Sequence, residues 1–202
     1  MDLRDRLISR LLFIVVAAAA LSSCGGGSGS GSVGQHASPT PGPGGAQLPN
    51  GFSVTTIASV ASARELAALP NGDLLVGTEG SNLYLVPGAE NAGAPGAAHV
   101  FITLPDSPAQ GVAISPDGTT IYAATQYYVY EIAYHTGDQT EPNGSAVQIA
   151  AVRQGPISPG SDGDVHHTSS VAVTATTVYV GVGSSCNACV EVDPTRATIQ
   201  AM

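Results

Sequence analysis

One strand-turn-strand unit occurs three times in this chain. Leu66-Ala67-Ala68-Leu69-Pro70-Asn71-Gly72-Asp73-Leu74-Leu75-Val76-Gly77-Thr78 is the first. Val112-Ala113-Ile114-Ser115-Pro116-Asp117-Gly118-Thr119-Thr120-Ile121-Tyr122-Ala123-Ala124-Thr125 is the second. Val171-Ala172-Val173-Thr174-Ala175-Thr176-Thr177-Val178-Tyr179-Val180-Gly181-Val182 is the third, and the starts lie 46 and then 59 residues apart. In the first two units the turn is Pro-Asn-Gly or Pro-Asp-Gly, where proline presets φ and glycine accepts positive φ. The turn of the third unit lacks both residues. From residue 51 onward, apolar and β-branched residues come in runs of four to eight bounded by Pro, Gly, Asn and Asp, the pattern of strands. No useful window shows a 3.6-residue apolar period. Residues 65–68 come nearest to a helix former, and they run into Pro70.

Each of the first two units is followed by two further strand candidates, residues 82–86 and 99–104 in one case, 127–134 and 147–152 in the other. Four strands in a repeat of roughly 40–60 residues is the signature of a β-propeller blade. A β-sandwich of similar hairpins is the alternative, and the recurrence of the turn chemistry favours the propeller. The expected fold is therefore all-β, a β-propeller of which about two and a half blades fall in residues 48–202. Residues 52–58 read as an extra strand of the kind that completes a propeller's last blade. Propellers have about four to eight blades, so at about 50 residues per blade a closed ring needs on the order of 100–200 more residues. The chain is expected to be an N-terminal fragment of a longer protein.

The N-terminus reads as an address. Arg4, Arg6 and Arg10 make a basic segment, and residues 11–21 make an apolar one of 11 residues, too short to span a bilayer as a stable helix. It ends at Leu21-Ser22-Ser23-Cys24, which resembles the lipobox of bacterial lipoproteins. That resemblance implies cleavage of a signal peptide, residues 1–23, and lipidation of Cys24. An ordinary secretory signal with a chance cysteine is the alternative. Residues 24–47 are a Gly/Ser/Pro-rich tether, too poor in apolar side chains to fold. The expectation is an exported protein, lipid-anchored to the bacterial cell envelope, because buried acyl chains give membrane affinity without a spanning helix.

The chain carries a formal charge of −9, and all six of its basic residues are arginines. Three of them fall within residues 1–23. Such an acidic chain argues against nucleic acid, since phosphate binding needs clustered Lys and Arg. Beyond Cys24 only Cys186 and Cys189 remain. In an exported protein two nearby thiols form a disulfide more often than a metal site, and a structural zinc site wants four ligands.

The densest gathering of titratable groups is Asp162-Gly163-Asp164-Val165-His166-His167-Thr168. An imidazole is the usual general base for taking a proton from an alcohol. Asp162 and Asp164 are candidates to orient it or raise its basicity, and Asp164 is also a candidate to face the channel. Surface histidines in a Gly-rich loop are the plain alternative. Gln110, at the start of an innermost strand, is a further channel candidate. Tyr128, Tyr130 and Tyr134 share one strand face, which points to packing between blades rather than to a sugar platform. His36, His99 and His135 are isolated and receive no role.

The loop containing His166-His167-Thr168, the strand after it, then Val182-Gly183-Ser184-Ser185-Cys186-Asn187-Ala188-Cys189 and Asp193-Pro194-Thr195-Arg196-Ala197-Thr198-Ile199 together resemble the glucose/sorbosone dehydrogenase family. The likeness is specific over residues 162–199 and loose over 48–202. It implies a six-bladed propeller and a pyrroloquinoline quinone-dependent dehydrogenase of sugars, polyols or related substrates, with calcium beside the quinone. By position His166 is implied to be the catalytic base and His167 its neighbour. Cys186 and Cys189 are implied to be a structural disulfide, and Arg196 an ion-pair partner for a residue such as Asp193. Ser169 stands where family members commonly carry Arg. Most quinone and calcium ligands of the family fall later than residue 202, so this stretch alone is expected to be inactive. The competing class is an exported propeller acting as a binding scaffold or as a gluconolactonase-like hydrolase. The hydrolase would need a carboxylate-held metal, for which Glu65 and Glu79 are the early candidates.

Overall fold

The computed structural model describes residues 45, 47–91, 93–153, 155–161 and 163–202, all within the unit Pro39–Met202. The leader, Cys24 with its anchor, nearly all of the tether, and Asp162 lie outside the described residues.

Among the described residues, eleven strands form three antiparallel sheets. The first sheet runs β1 (Ala63–Ala68), β2 (Leu74–Thr78), β3 (Asn82–Val86) and β4 (His99–Thr103) in that order. The second repeats the pattern with β5 (Gly111–Ile114), β6 (Thr120–Ala124), β7 (Tyr128–Ala133) and β8 (Val147–Ala151). The third holds β9 (Ser169–Val173), β10 (Val178–Val182) and β11 (Thr198–Ala201). Strands pair only with their chain neighbours inside a sheet, while β5 lies between β1 and β9. This is the blade arrangement of a propeller, not the two facing sheets of a sandwich.

The turns follow their residue chemistry. Gly72 and Gly118 take φ of +82° and +73°, the left-handed region that suits a residue without Cβ. In the third unit a threonine does the work: the Thr174 hydroxyl accepts the backbone N–H of Thr177 at 3.1 Å, beside a Thr174 N–H to Thr177 carbonyl bond of 2.9 Å. A side-chain oxygen thus replaces the Pro-Asp-Gly device.

Period-two alternation sends each strand's apolar side chains to the interfaces between blades. Leu75, Leu83, Leu85 and Phe101 of the first blade meet Ile121, Tyr130, Ile132 and Tyr134 of the second. Val129 points the other way, joining Val152, Val171, Val178, Val180 and Val182 between the second and third blades. Each such buried side chain contributes about 1.5–3 kcal/mol. The tyrosine run is therefore packing, with Tyr130 donating its hydroxyl to Asp106 Oδ1 at 2.9 Å. Burial first, then the Asp106 carboxylate, push the Tyr130 phenol well above its usual range.

Each blade carries exposed apolar groups: Leu66 and Val100 on the first, Val147 and Ile149 on the second, and Tyr179 and Ile199 on the third. Residues 52–58, expected as a strand, form none. Phe52 and Val54 are exposed. A strand exists only by hydrogen bonding to a neighbour, and among the described residues this segment joins no sheet.

Candidate functional site

An antiparallel four-strand blade puts its second-to-third connection and its link to the next blade at the same end. Among the described residues, five segments converge there: residues 79–81, 104–110, 125–127, the described part of the β8–β9 connection (152–153, 155–161 and 163–168) and 183–197. Every polar residue discussed below lies in or beside them, so the topology alone gathers residues more than 100 positions apart.

His166 and His167 sit just before β9, both half-buried. Their backbone is held by Arg153, whose Nη2 donates to the carbonyls of His166 (2.9 Å) and Thr168 (3.0 Å). The Arg153 side chain is fully buried, and its Nη1 lies 3.4 Å from Asp164 Oδ2. Asp164 also accepts from Arg196 Nη1 at 2.8 Å and Gln126 Nε2 at 2.7 Å. Burial raises the Asp164 carboxyl, but the Arg196 and Gln126 hydrogen bonds and the two positive charges outweigh it, leaving it below the usual carboxylate range. The carboxylate expected to tune an imidazole or face the channel is instead occupied by Arg153, Arg196 and Gln126. Its link to His167 is the backbone carbonyl, 3.1 Å from Nδ1.

Arg196 pairs with Asp193 as well, Nε to Oδ2 at 3.4 Å. Asp193 is buried and accepts the N–H of Gly155 (2.9 Å) and of Thr195 (2.9 Å). The loop after β10 is thereby bound to the loop before β9. Gly183 belongs to this contact, since a Cβ there would sit 2.0 Å from the His166 carbonyl oxygen.

The two imidazoles have different partners. His166 Nε2 is 2.8 Å from Asn187 Oδ1, and among the described residues Nδ1 makes no hydrogen bond. His167 stands between two acceptors, the Asp164 carbonyl and Glu79 Oε2 at 3.3 Å. A neutral ring satisfies one of them and an imidazolium both. Of the two, only His166 keeps a ring nitrogen with no hydrogen-bond partner among the described residues.

Glu79 is the residue that sequence reading undervalued. Its Oε1 also accepts from Arg64 Nε (2.5 Å) and Gln110 Nε2 (2.9 Å). Burial pushes its carboxyl up, but these donors and His167 win, so the net shift is downward. Gln110 is buried and joins first and second blades through this bond. Glu65 Oε2 accepts the N–H groups of Val112 (3.1 Å) and Val171 (3.3 Å), bridging the innermost strands of all three blades. Burial raises its carboxyl above the ordinary value, partly opposed by those two bonds. Glu65 lies on innermost strand β1 and Glu79 in the turn between β2 and β3; the sequence offered both only as carboxylates for a metal, and neither contact is visible locally.

Beside these residues is an open cleft of about 790 Å³, lined by Arg64, Glu65, Gln110, Ser169, Ser170 and Thr198 among others. Neither imidazole lines it, though Thr168 and Gly183 do. Ser169 is buried, and its hydroxyl has no partner among the described residues. Cys186 and Cys189 are joined in a disulfide. Their loop is pinned by the Ser184 hydroxyl to the Cys186 carbonyl (2.9 Å) and by Glu191, which accepts from Ser185 and Ser158.

No protein-family model and no curated protein matches the chain. Solved structures do. The holo form of a pyranose dehydrogenase PQQ domain from Coprinopsis cinerea matches with a TM-score of 0.58 at 21% identity, over 77% of this chain and 37% of that one. A calcium structure of a Trichoderma reesei protein of carbohydrate-active enzyme family AA12 gives 0.54 at 21% identity, over 74% and 37%. An iodide structure from the same organism and enzyme family gives 0.52 at 22% identity, over 73% and 37%. At such identity the likeness shows the fold, and the chain spans about 37% of the length of these structures.

Proposed function

We propose that the protein is a quinone-dependent sugar dehydrogenase, with His166 removing the proton of a sugar or polyol hydroxyl as that carbon is oxidised. One observation carries this reading. His166 is held by its backbone through Arg153 and through Nε2 by Asn187, yet retains an unpaired ring nitrogen at the polar end of the blades. The fold shared with a PQQ domain supports it, as does the motif resemblance over residues 162–199.

Pyrroloquinoline quinone would supply the two-electron acceptor, with calcium beside it. The described residues do not by themselves fit that group. A quinone bearing several carboxylates calls for unpaired cations around one cavity, whereas Arg153 and Arg196 are buried against Asp164, and Arg64, the one arginine on the cleft, is held by Glu79. The steps assigned to this chain are accordingly its own. His166 accepts a proton, Arg153 and Asn187 fix its position, and Glu65, Gln110 and Ser169 offer polar groups along the cleft wall.

The lactonase alternative is not favoured. Glu65 is turned to two backbone N–H groups and Glu79 to three side-chain donors, so the two glutamates do not form a ligand set. Export and lipid anchoring through Cys24 remain part of the proposal, resting on the leader sequence.

The test is a dye-linked assay of the full-length protein with added quinone and calcium against a panel of sugars and polyols. Sugar-dependent dye reduction that His166→Ala abolishes and His167→Ala tolerates supports the reading. Absence of turnover with every substrate, or equal loss in both variants, defeats it.

A further inference from the structure

The loop closed by the Cys186–Cys189 disulfide carries a side chain whose chemistry is not that of a staple. Asn187 sits between the two cysteines and places Oδ1 2.8 Å from His166 Nε2. An amide oxygen only accepts hydrogen bonds. The neutral ring must then carry its proton on Nε2, which leaves the lone pair on Nδ1. We infer that Asn187 is a positioning residue that sets the tautomer of His166 and thereby makes Nδ1 the proton-accepting atom. This inference rests on the reading of His166 as the base.

The surroundings make the pairing specific. The ring's backbone is clamped by Arg153 (2.9 Å). The facing loop is anchored on its own side through the Ser184 bond to Cys186 and the Glu191 bonds to Ser185. The nearest acid in sequence, Asp164, is held by Arg153, Arg196 and Gln126 and does not compete for the ring. His167 is engaged by Glu79 and the Asp164 carbonyl. Asn187 is thus the group that decides which face of the imidazole is basic, and the disulfide holds that group within reach.

The experiment is long-range proton–nitrogen NMR of the intact protein labelled with [15N]histidine, with His166→Gln identifying the resonances. Asn187→Asp and Asn187→Leu are compared with the parent across pH. Aspartate can only accept, so it enforces a proton on Nε2. The inference requires that the parent and Asn187→Asp share one pattern, protonated Nε2 and bare Nδ1. It also requires Asn187→Asp to raise the His166 titration midpoint by about one pH unit, as a carboxylate beside an imidazolium does. Asn187→Leu should lose protection of the Nε2 proton from exchange. A parent with its proton on Nδ1, or a midpoint unmoved by aspartate, overturns the inference. These readouts need no turnover. A protein that shows them yet oxidises no sugar would defeat the functional reading and leave the assignment of Asn187 standing.

Discussion

His167 Nε2 lies 3.3 Å from Glu79 Oε2, although 88 residues separate them in the chain. The contact ties the entry to the third blade to a turn of the first, across the end where the polar residues gather. Glu79 has a lowered carboxyl pKa, so its folded form holds charge below the ordinary glutamate range. Its contribution to stability is present above about pH 4.5 and is lost as pH falls through the lower folded value. Denaturant midpoints measured from pH 7 to pH 3 should drop on the acid side. Glu79→Gln should lower the neutral-pH midpoint and flatten that drop, and an unchanged acid limb would contradict the assignment.

Arg153 is predicted to be the costliest charge to remove. Its side chain is fully buried, and truncation strands two carbonyls and weakens the pairing of Asp164. Arg153→Leu should cost about 3–5 kcal/mol in equilibrium unfolding. Arg153→Lys keeps the charge without the planar fork and should recover only part of it.

Gly183→Ala tests how tightly the base loop is seated. The added methyl would meet a backbone oxygen, that of His166, at 2.0 Å, and backbone cannot swing aside as a flexible side chain can. A loss of about 1–3 kcal/mol is expected. The His166 imidazole resonances should shift with it, whereas a structurally indifferent site would leave them in place.

The disulfide should matter more to the site than to global stability. With a sequence separation of 3 it closes a very short loop, and the chain-entropy relation gives about 2 kcal/mol for such a closure. Cys186→Ala/Cys189→Ala should therefore stay folded while the His166–Asn187 contact weakens, read as faster exchange of the Nε2 proton.

Core packing supplies a reference. Ile132→Ala, at a position with no exposed surface between the first two blades, should cost about 2–5 kcal/mol. A much smaller loss would mean that the blade interface is looser than its burial indicates.

The amino-acid sequence by itself determined the strands and their turns. Alternating apolar residues and Pro-Asp-Gly chemistry act over a few positions, and so the boundaries of β3 could be read directly from residues 82–86. It also singled out His166, His167 and the cysteine pair, because reactive residue types at close spacing are visible locally. Only the tertiary structure decided their partners. Glu79 and Glu65 stood out in the sequence only as carboxylates for a metal, yet they meet His167 and the N–H groups of Val112 and Val171 from 47 to 106 positions away. Asp164, adjacent to the histidines in the chain, turns its carboxylate to arginines instead. Residues 52–58 carry strand-like residues and still form no strand, since pairing depends on what lies alongside. Local propensity is a property of neighbours in sequence, whereas hydrogen-bond partners and ion pairs are set by which blade ends the fold brings together.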